Sequence, residues 1–111
     1  MITVVCGPPG SGKTTYVREH KRRGDVVWDQ DVMMAALCDL PLGEKQDDCI
    51  KPLLAMRDGL LSELARHPLV RNVWIIVSKE IYATQIAVGL RAAIVKCNLG
   101  EEEWQRRIAG R

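Results

Sequence analysis

The sequence contains no phenylalanine, and its only aromatics are three Trp and two Tyr. Aliphatic side chains must therefore fill most of any interior. The four cysteines, Cys6, Cys38, Cys49 and Cys97, include no Cys-x-x-Cys pair, and the two histidines, His20 and His67, lie far apart. That spacing excludes a zinc site of the usual kind. Cys6 and Cys97 fall in apolar runs and read as buried small hydrophobes. No apolar run approaches the ~18 residues of a membrane span. The opening Met-Ile-Thr-Val-Val-Cys-Gly has no basic start and no cleavage pattern, so it reads as a strand rather than a signal peptide. The expectation is a reduced, soluble, cytoplasmic chain. An excess of one charge is lacking too: 16 Lys and Arg face 14 Asp and Glu, for a net +2. That balance argues against a protein that coats nucleic acid, although a local basic patch is compatible with it. At 111 residues the chain fits one domain, 1–111.

What is present alternates between two periodicities. Residues 2–6 form a β-rich apolar run, followed by a Gly/Pro turn over 7–12 and a helix-compatible stretch over 13–22. Residues 25–28 read as a second strand. A short helix is expected over 32–38 with Asp31 as its cap, and an exposed acidic loop over 39–48. The longest helical pattern runs over 50–67, where Leu53, Leu60, Leu61 and Leu64 form one apolar stripe and Pro68 stops it. The almost continuous apolar run over 72–77 suits a strand covered on both faces. A helix over 81–90, a fourth strand over 92–99 and a charged helix over 101–109 complete the chain. The order β-α-β-α-α-β-α-β-α predicts an α/β fold in three layers, with a short, mainly parallel sheet between helices.

The decisive motif is Gly7-Pro8-Pro9-Gly10-Ser11-Gly12-Lys13-Thr14, followed by Thr15. It satisfies G-x-x-x-x-G-K-[ST], and it sits between a strand and a helix, the context that confirms the pattern. Glycines let the backbone wrap closely and turn N–H groups toward phosphate oxygens, and the helix start adds its dipole. In this chemistry Lys13 neutralises the β- and γ-phosphates, Thr14 offers a hydroxyl to Mg²⁺, and Thr15 is placed to meet the α-phosphate. The motif implies binding of ATP or GTP with Mg²⁺.

The loop resembles those of AAA-type ATPases and of small P-loop kinases. An AAA module would end an apolar strand in Asp-Glu and carry a helical lid, whereas here the third strand runs into Ser78-Lys79-Glu80. The second strand, ending Trp28-Asp29-Gln30-Asp31, resembles small metabolite and nucleic-acid kinases: shikimate and gluconate kinases, zeta-toxin kinases and bacteriophage polynucleotide kinase. It also resembles small phage-borne ATP-binding proteins classed with the AAA domains. The resemblance implies sheet order 2-3-1-4. It also implies a carboxylate facing the acceptor hydroxyl, with Asp31 as base and Asp29 toward Mg²⁺; on the sequence the two roles are interchangeable. Ser78 stands where an acidic residue often helps hold the metal, and gluconate kinase-like proteins resemble this in ending the strand with Ser. An arginine-bearing lid is implied after the fourth strand, where Arg106, Arg107 and Arg111 lie; Arg107 joins Lys13, Asp29 and Asp31 as a catalytic candidate.

The cluster Arg18, Lys21, Arg22 and Arg23 suits the negative end of the first helix, with a nucleic-acid backbone contact as the sharper alternative. Arg57 lies in the long helix, where most arginines are surface residues, with an acceptor-site lining as its alternative. Trp28 and Trp74 read as core. Two functions follow. The first is a Mg²⁺-dependent kinase acting on a nucleotide, a polynucleotide 5′ end or a small metabolite. The second is a nucleotide-binding interaction or regulatory protein with weak NTPase activity, its open sheet edge completed by a partner protein or a second copy.

Overall fold

The structure, a computed structural model, describes residues 1–8, 10–67 and 71–97. Its elements in chain order are β1 (Ile2–Cys6), α1 (Lys13–His20), β2 (Val26–Asp29), α2 (Gln30–Cys38), α3 (Asp47–Arg66), β3 (Val73–Val77), α4 (Glu80–Leu90) and β4 (Ala93–Lys96). The four strands form one sheet in the order β2-β3-β1-β4. Every pairing is parallel, so the expected 2-3-1-4 order is present and the sheet is wholly parallel. The expected helix over 101–109, with Arg106, Arg107 and Arg111, lies outside the described residues, as does Pro9.

Strand residues alternate between the two faces of the sheet because successive side chains point to opposite sides. Val4, Cys6, Trp28, Val73, Ile75 and Val77 pack on one side with Met34, Leu53, Leu64, Ala83 and Ile86 from α2, α3 and α4. Val5, Trp74 and Ile76 face the other way and meet Val17 of α1. All five residues of β3 are buried, which explains its unbroken apolar run. The stripe expected on α3 packs inward: Leu53 and Leu64 are buried, and Leu60 and Leu61 are half-buried against the same cluster. Trp28 and Trp74 are both core residues. The Nε1 of Trp74 donates to Asp25 Oδ2 at 3.1 Å.

Three local details differ from the sequence reading. The second helix begins at Gln30, two residues earlier than expected, and its cap is Asp29, which accepts from Asp31 N at 3.0 Å and Val32 N at 3.4 Å. Asp31 is a first-turn residue with an exposed position. The third helix begins at Asp47, inside the stretch expected to be loop, because Asp47 and Asp48 sit in its first turn, where acidic side chains complement the dipole. Finally, Cys38 and Cys49 approach each other across the segment between α2 and α3, with Cα atoms 7.2 Å apart, a proximity the sequence reading did not anticipate. Cys6 is buried, as its apolar run implied, whereas Cys97 is half-buried. Among the described residues no helix is long and apolar enough to cross a membrane.

Candidate functional site

Parallel register brings the carboxyl ends of the strands into line: Cys6 pairs with Val77 and with Lys96, and Asp29 pairs with Ile76. The residues that follow β1, β2 and β3 therefore emerge along one edge of the sheet. Ligands of open α/β sheets bind in the crevice there.

The first of these segments is the Gly7–Thr14 loop. Gly7 is held tightly: a methyl group on it would overlap the carbonyl oxygen of Cys97 and lie 2.5 Å from Ser11 Oγ. Gly10 and Gly12 have φ of 77° and 90°, the left-handed region that favours glycine. Gly12 ends the loop as the N-cap of α1, and its carbonyl accepts from Tyr16 N at 2.8 Å. Ser11 is buried, its N–H donates to Pro8 O at 3.1 Å, and its hydroxyl oxygen has no partner. Pro8 and Gly10 stand exposed at the rim, and Thr15 is half-buried behind Thr14.

Lys13 folds back across the loop. Its ammonium donates to Gly7 O at 2.5 Å, with longer contacts of 3.4 Å to Pro8 O and to Ser78 Oγ. Burial pushes its pKa below the ordinary lysine value, and the carboxylates of Asp31 and Asp29 partly oppose that shift. The cation thus rests on neutral carbonyl oxygens, with two carboxylates near enough to favour its charged form.

A cleft of about 380 Å³ opens beside the loop. Lys13 and Thr14 line it from the loop, Asp29 and Asp31 from the start of α2, and Ser78 and Lys79 from the end of β3. Of the residues singled out, the cleft thus gathers Lys13 and Thr14 from the motif and Asp29, Asp31 and Ser78 from the strand ends, while Gly7, Pro8, Gly10, Ser11, Gly12 and Thr15 shape the loop without lining it. Lys45, Ile50, Leu54, Arg57 and Tyr82 complete the wall. Lys45 and Tyr82 were not anticipated. Arg57 belongs to the cleft rather than to the open surface, and the signal for it was present in the sequence: Ile50, Leu54 and Arg57 are spaced four and three residues apart, one stripe of a helix.

Two other expectations resolve against the cleft. Trp28 is 5% exposed, so it does not offer a stacking face. The Arg18–Arg23 cluster lies where α1 ends and β2 begins, at the edge of the sheet opposite the loop. There Arg71 Nη1 donates to Arg23 O at 3.1 Å, and Arg22 N donates to Asp25.

The donor set around Thr14 suits a hard cation that keeps most of its water. Among the described residues, no group of three or more His, Cys, Asp and Glu gathers to hold a metal ion. Magnesium bound with a triphosphate needs only one or two protein oxygens, because phosphate and water supply the others. The Thr14 hydroxyl and the Asp29 carboxylate, lining one cleft, meet that requirement.

Comparison with known proteins agrees with this geometry. No curated protein and no solved structure matches the chain significantly. A family model does: AAA_33, described as an AAA domain, matches residues 2–111. The chain therefore belongs to the AAA_33 family of AAA domains and is a P-loop nucleotide-binding protein.

Proposed function

We propose that the protein is a Mg²⁺-dependent phosphotransferase that moves the γ-phosphoryl group of ATP or GTP to a hydroxyl acceptor. The observation that carries the reading is the shared cleft: Asp31 and the Lys13–Thr14 end of the loop line the same cavity. A triphosphate on the loop and a hydroxyl beside Asp31 would face each other across it.

The roles follow from the capping geometry. Asp29 spends one carboxylate oxygen on the N–H groups of Asp31 and Val32, which fixes the start of α2. Its remaining oxygen is free of that duty and is assigned to the metal, with the hydroxyls of Thr14 and Ser78, which line the same cleft. Asp31 has no capping duty and can take the acceptor proton. In the transfer, the acceptor oxygen forms a bond to the γ-phosphorus. The bond from that phosphorus to the bridging β–γ oxygen breaks, the nucleoside diphosphate leaves, and the acceptor proton passes to an Asp31 oxygen. Lys13 exchanges the Gly7 carbonyl for phosphate oxygens and stabilises the charge that spreads over them. Magnesium supplies neutralisation of the phosphates when bound. Pro9, as part of the loop, and Arg107, as a lid arginine, complete the proposed set. The acceptor is a nucleotide, a polynucleotide 5′ end or a small metabolite, and the place of action is the cytoplasm.

A second reading is a nucleotide-binding regulatory protein with slow hydrolysis and no acceptor. Ser78 in place of a strand-end acid favours it, and the exposed edge strand β4 offers a surface for a partner or second copy. Nucleotide loss measured with and without 5′-hydroxyl oligonucleotides, deoxynucleosides and sugar acids separates the two. Stimulation by an acceptor that disappears in Asp31→Ala, with nucleotide binding retained, supports the phosphotransferase. Binding without stimulation by any acceptor supports the regulatory protein.

A further inference from the structure

A cysteine stands at each root of the segment 39–48 that joins α2 to α3. Cys38 is the last residue of α2, and Cys49 lies in the first turn of α3. Their Cα atoms are 7.2 Å apart across a sequence separation of 11. Disulfides usually join Cα atoms about 4.4–6.8 Å apart, so a small inward movement of the two helix ends brings the pair within range. Both side chains are half-buried, which leaves each sulfur open to a small solute. The Cys38 thiol donates to Met34 Sδ at 3.7 Å.

The segment between them is held lightly. All of its residues are exposed except Leu40, which is half-buried. Its backbone bonds are local: Leu40 N donates to Ala35 O at 3.0 Å, Glu44 N to Pro41 O at 3.2 Å, and Cys49 N to Gln46 O at 2.9 Å. Nothing lies within 4 Å of a carbon added at Gly43. No ion pair ties the segment down among the described residues. Yet Lys45 lines the cleft from this segment, and Ile50, next to Cys49, lines it from α3. Where Lys45 stands therefore depends on how the two roots are held.

We infer that Cys38 and Cys49 are a thiol–disulfide exchange site. A small-molecule disulfide such as oxidised glutathione joins them in a bond that ties the roots of the segment and fixes it beside the cleft. The thiolate of one cysteine attacks a sulfur of the glutathione disulfide, and the S–S bond there breaks. A mixed disulfide forms, and one glutathione leaves as its thiolate. The thiolate of the other cysteine then attacks the protein sulfur of the mixed disulfide. The Cys38–Cys49 bond forms and the second glutathione leaves. The cysteine pair loses two electrons to the glutathione disulfide, and the two cysteine protons end on the two glutathione thiols. The new bond removes conformational freedom from the chain it encloses. Neither cysteine lines the cleft, so the exchange stands apart from the phosphotransferase reading.

The experiment starts from the full chain reduced with dithiothreitol and freed of it under nitrogen. One portion receives oxidised glutathione and another buffer alone. Acid quenching, alkylation after unfolding and peptide mass spectrometry read the four thiols. Cleavage after Lys45 by a lysine-specific protease reads the segment. The expected product has lost two hydrogens, carries a Cys38–Cys49 bond and no glutathione, and keeps Cys6 and Cys97 as thiols. Cleavage after Lys45 should be about tenfold or more slower in that product than in the reduced chain. Dithiothreitol should restore both the mass and the cleavage rate. Cys38→Ser and Cys49→Ser should each melt with the reduced parent and keep fast cleavage after glutathione treatment. A parent chain that stops at a glutathione adduct, bonds through Cys6 or Cys97, or keeps all four thiols would overturn the exchange site. A Cys38–Cys49 bond that leaves cleavage after Lys45 unchanged would overturn its hold on the segment.

Discussion

Gly7→Ala is the substitution whose consequence is most completely determined by the fold. The added methyl would overlap the carbonyl oxygen of Cys97 and approach Ser11 Oγ to 2.5 Å. The serine hydroxyl can turn away. The carbonyl cannot, because Cys97 N donates to Cys6 O at 2.7 Å and the preceding residues of β4 are paired along β1. Relief requires either parting β1 from β4 or shifting the loop. Forcing an extra carbon into such a space costs about 1–3 kcal/mol. For a domain of this size that corresponds to a fall in melting temperature of roughly 4–20 °C. The assay is thermal unfolding followed by circular dichroism, with and without saturating Mg²⁺ and ATP. Saturation at a hundred times Kd stabilises a native protein by about 2.7 kcal/mol, and Gly7→Ala should lose that increment along with its basal stability. Gly59→Ala is the control: nothing lies within 4 Å of its added carbon, and alanine in an exposed helix should raise stability by about 0.5–1 kcal/mol. If Gly7→Ala melts with the parent protein and is stabilised equally by nucleotide, the close approach of loop and β4 is wrong.

The two aspartates at the start of α2 should separate cleanly. Asp29→Ala removes the cap and should cost about 1 kcal/mol in urea unfolding, whereas Asp31→Ala should change stability by less than about 0.5 kcal/mol. Asp25 gives a pH dependence of known sign. The Arg22 N–H, and after it the Trp74 indole N–H, hold its carboxyl below the ordinary carboxylate range. Its contribution to stability is therefore complete above the unfolded pKa, near pH 4, and is lost as pH falls through the lower folded value. Acid titration followed by Trp fluorescence should show this loss in the parent protein and not in Asp25→Ala. At Leu53, which is fully buried between sheet and helices, alanine should cost about 2–5 kcal/mol in the same urea titration.

The sheet was legible because each of its inner strands carries the run its position demands. The apolar residues of β1 and β3 are covered on both faces, and the glycines between β1 and α1 punctuate one strand-to-helix turn. The loop motif then placed the site at the carboxyl edge. What sequence periodicity could not resolve was where the chain enters α2. Asp29 and Asp31 are both good caps, two residues apart, and only the backbone shows that the carboxylate of Asp29 meets the N–H groups of Asp31 and Val32. The start of α3 was obscured because Asp47 and Asp48 read as polar loop until the helix dipole is considered. The approach of Cys38 and Cys49 depends on α3 folding back against α2, and no local pattern encodes that. Arg57 was hidden by composition: a charged residue in a helix reads as surface unless its stripe is traced through Ile50 and Leu54.

The central claim is that the Gly7–Thr14 loop holds a triphosphate through the cation now resting on its own carbonyls. Calorimetric titration of the full chain with ATP and Mg²⁺, beside Lys13→Ala, tests it directly. Charge-assisted hydrogen bonds contribute about 1.5–3 kcal/mol, so the account predicts saturable binding that weakens by roughly 10- to 150-fold in the variant. Absence of binding in the parent protein, or equal affinity in Lys13→Ala, would contradict it.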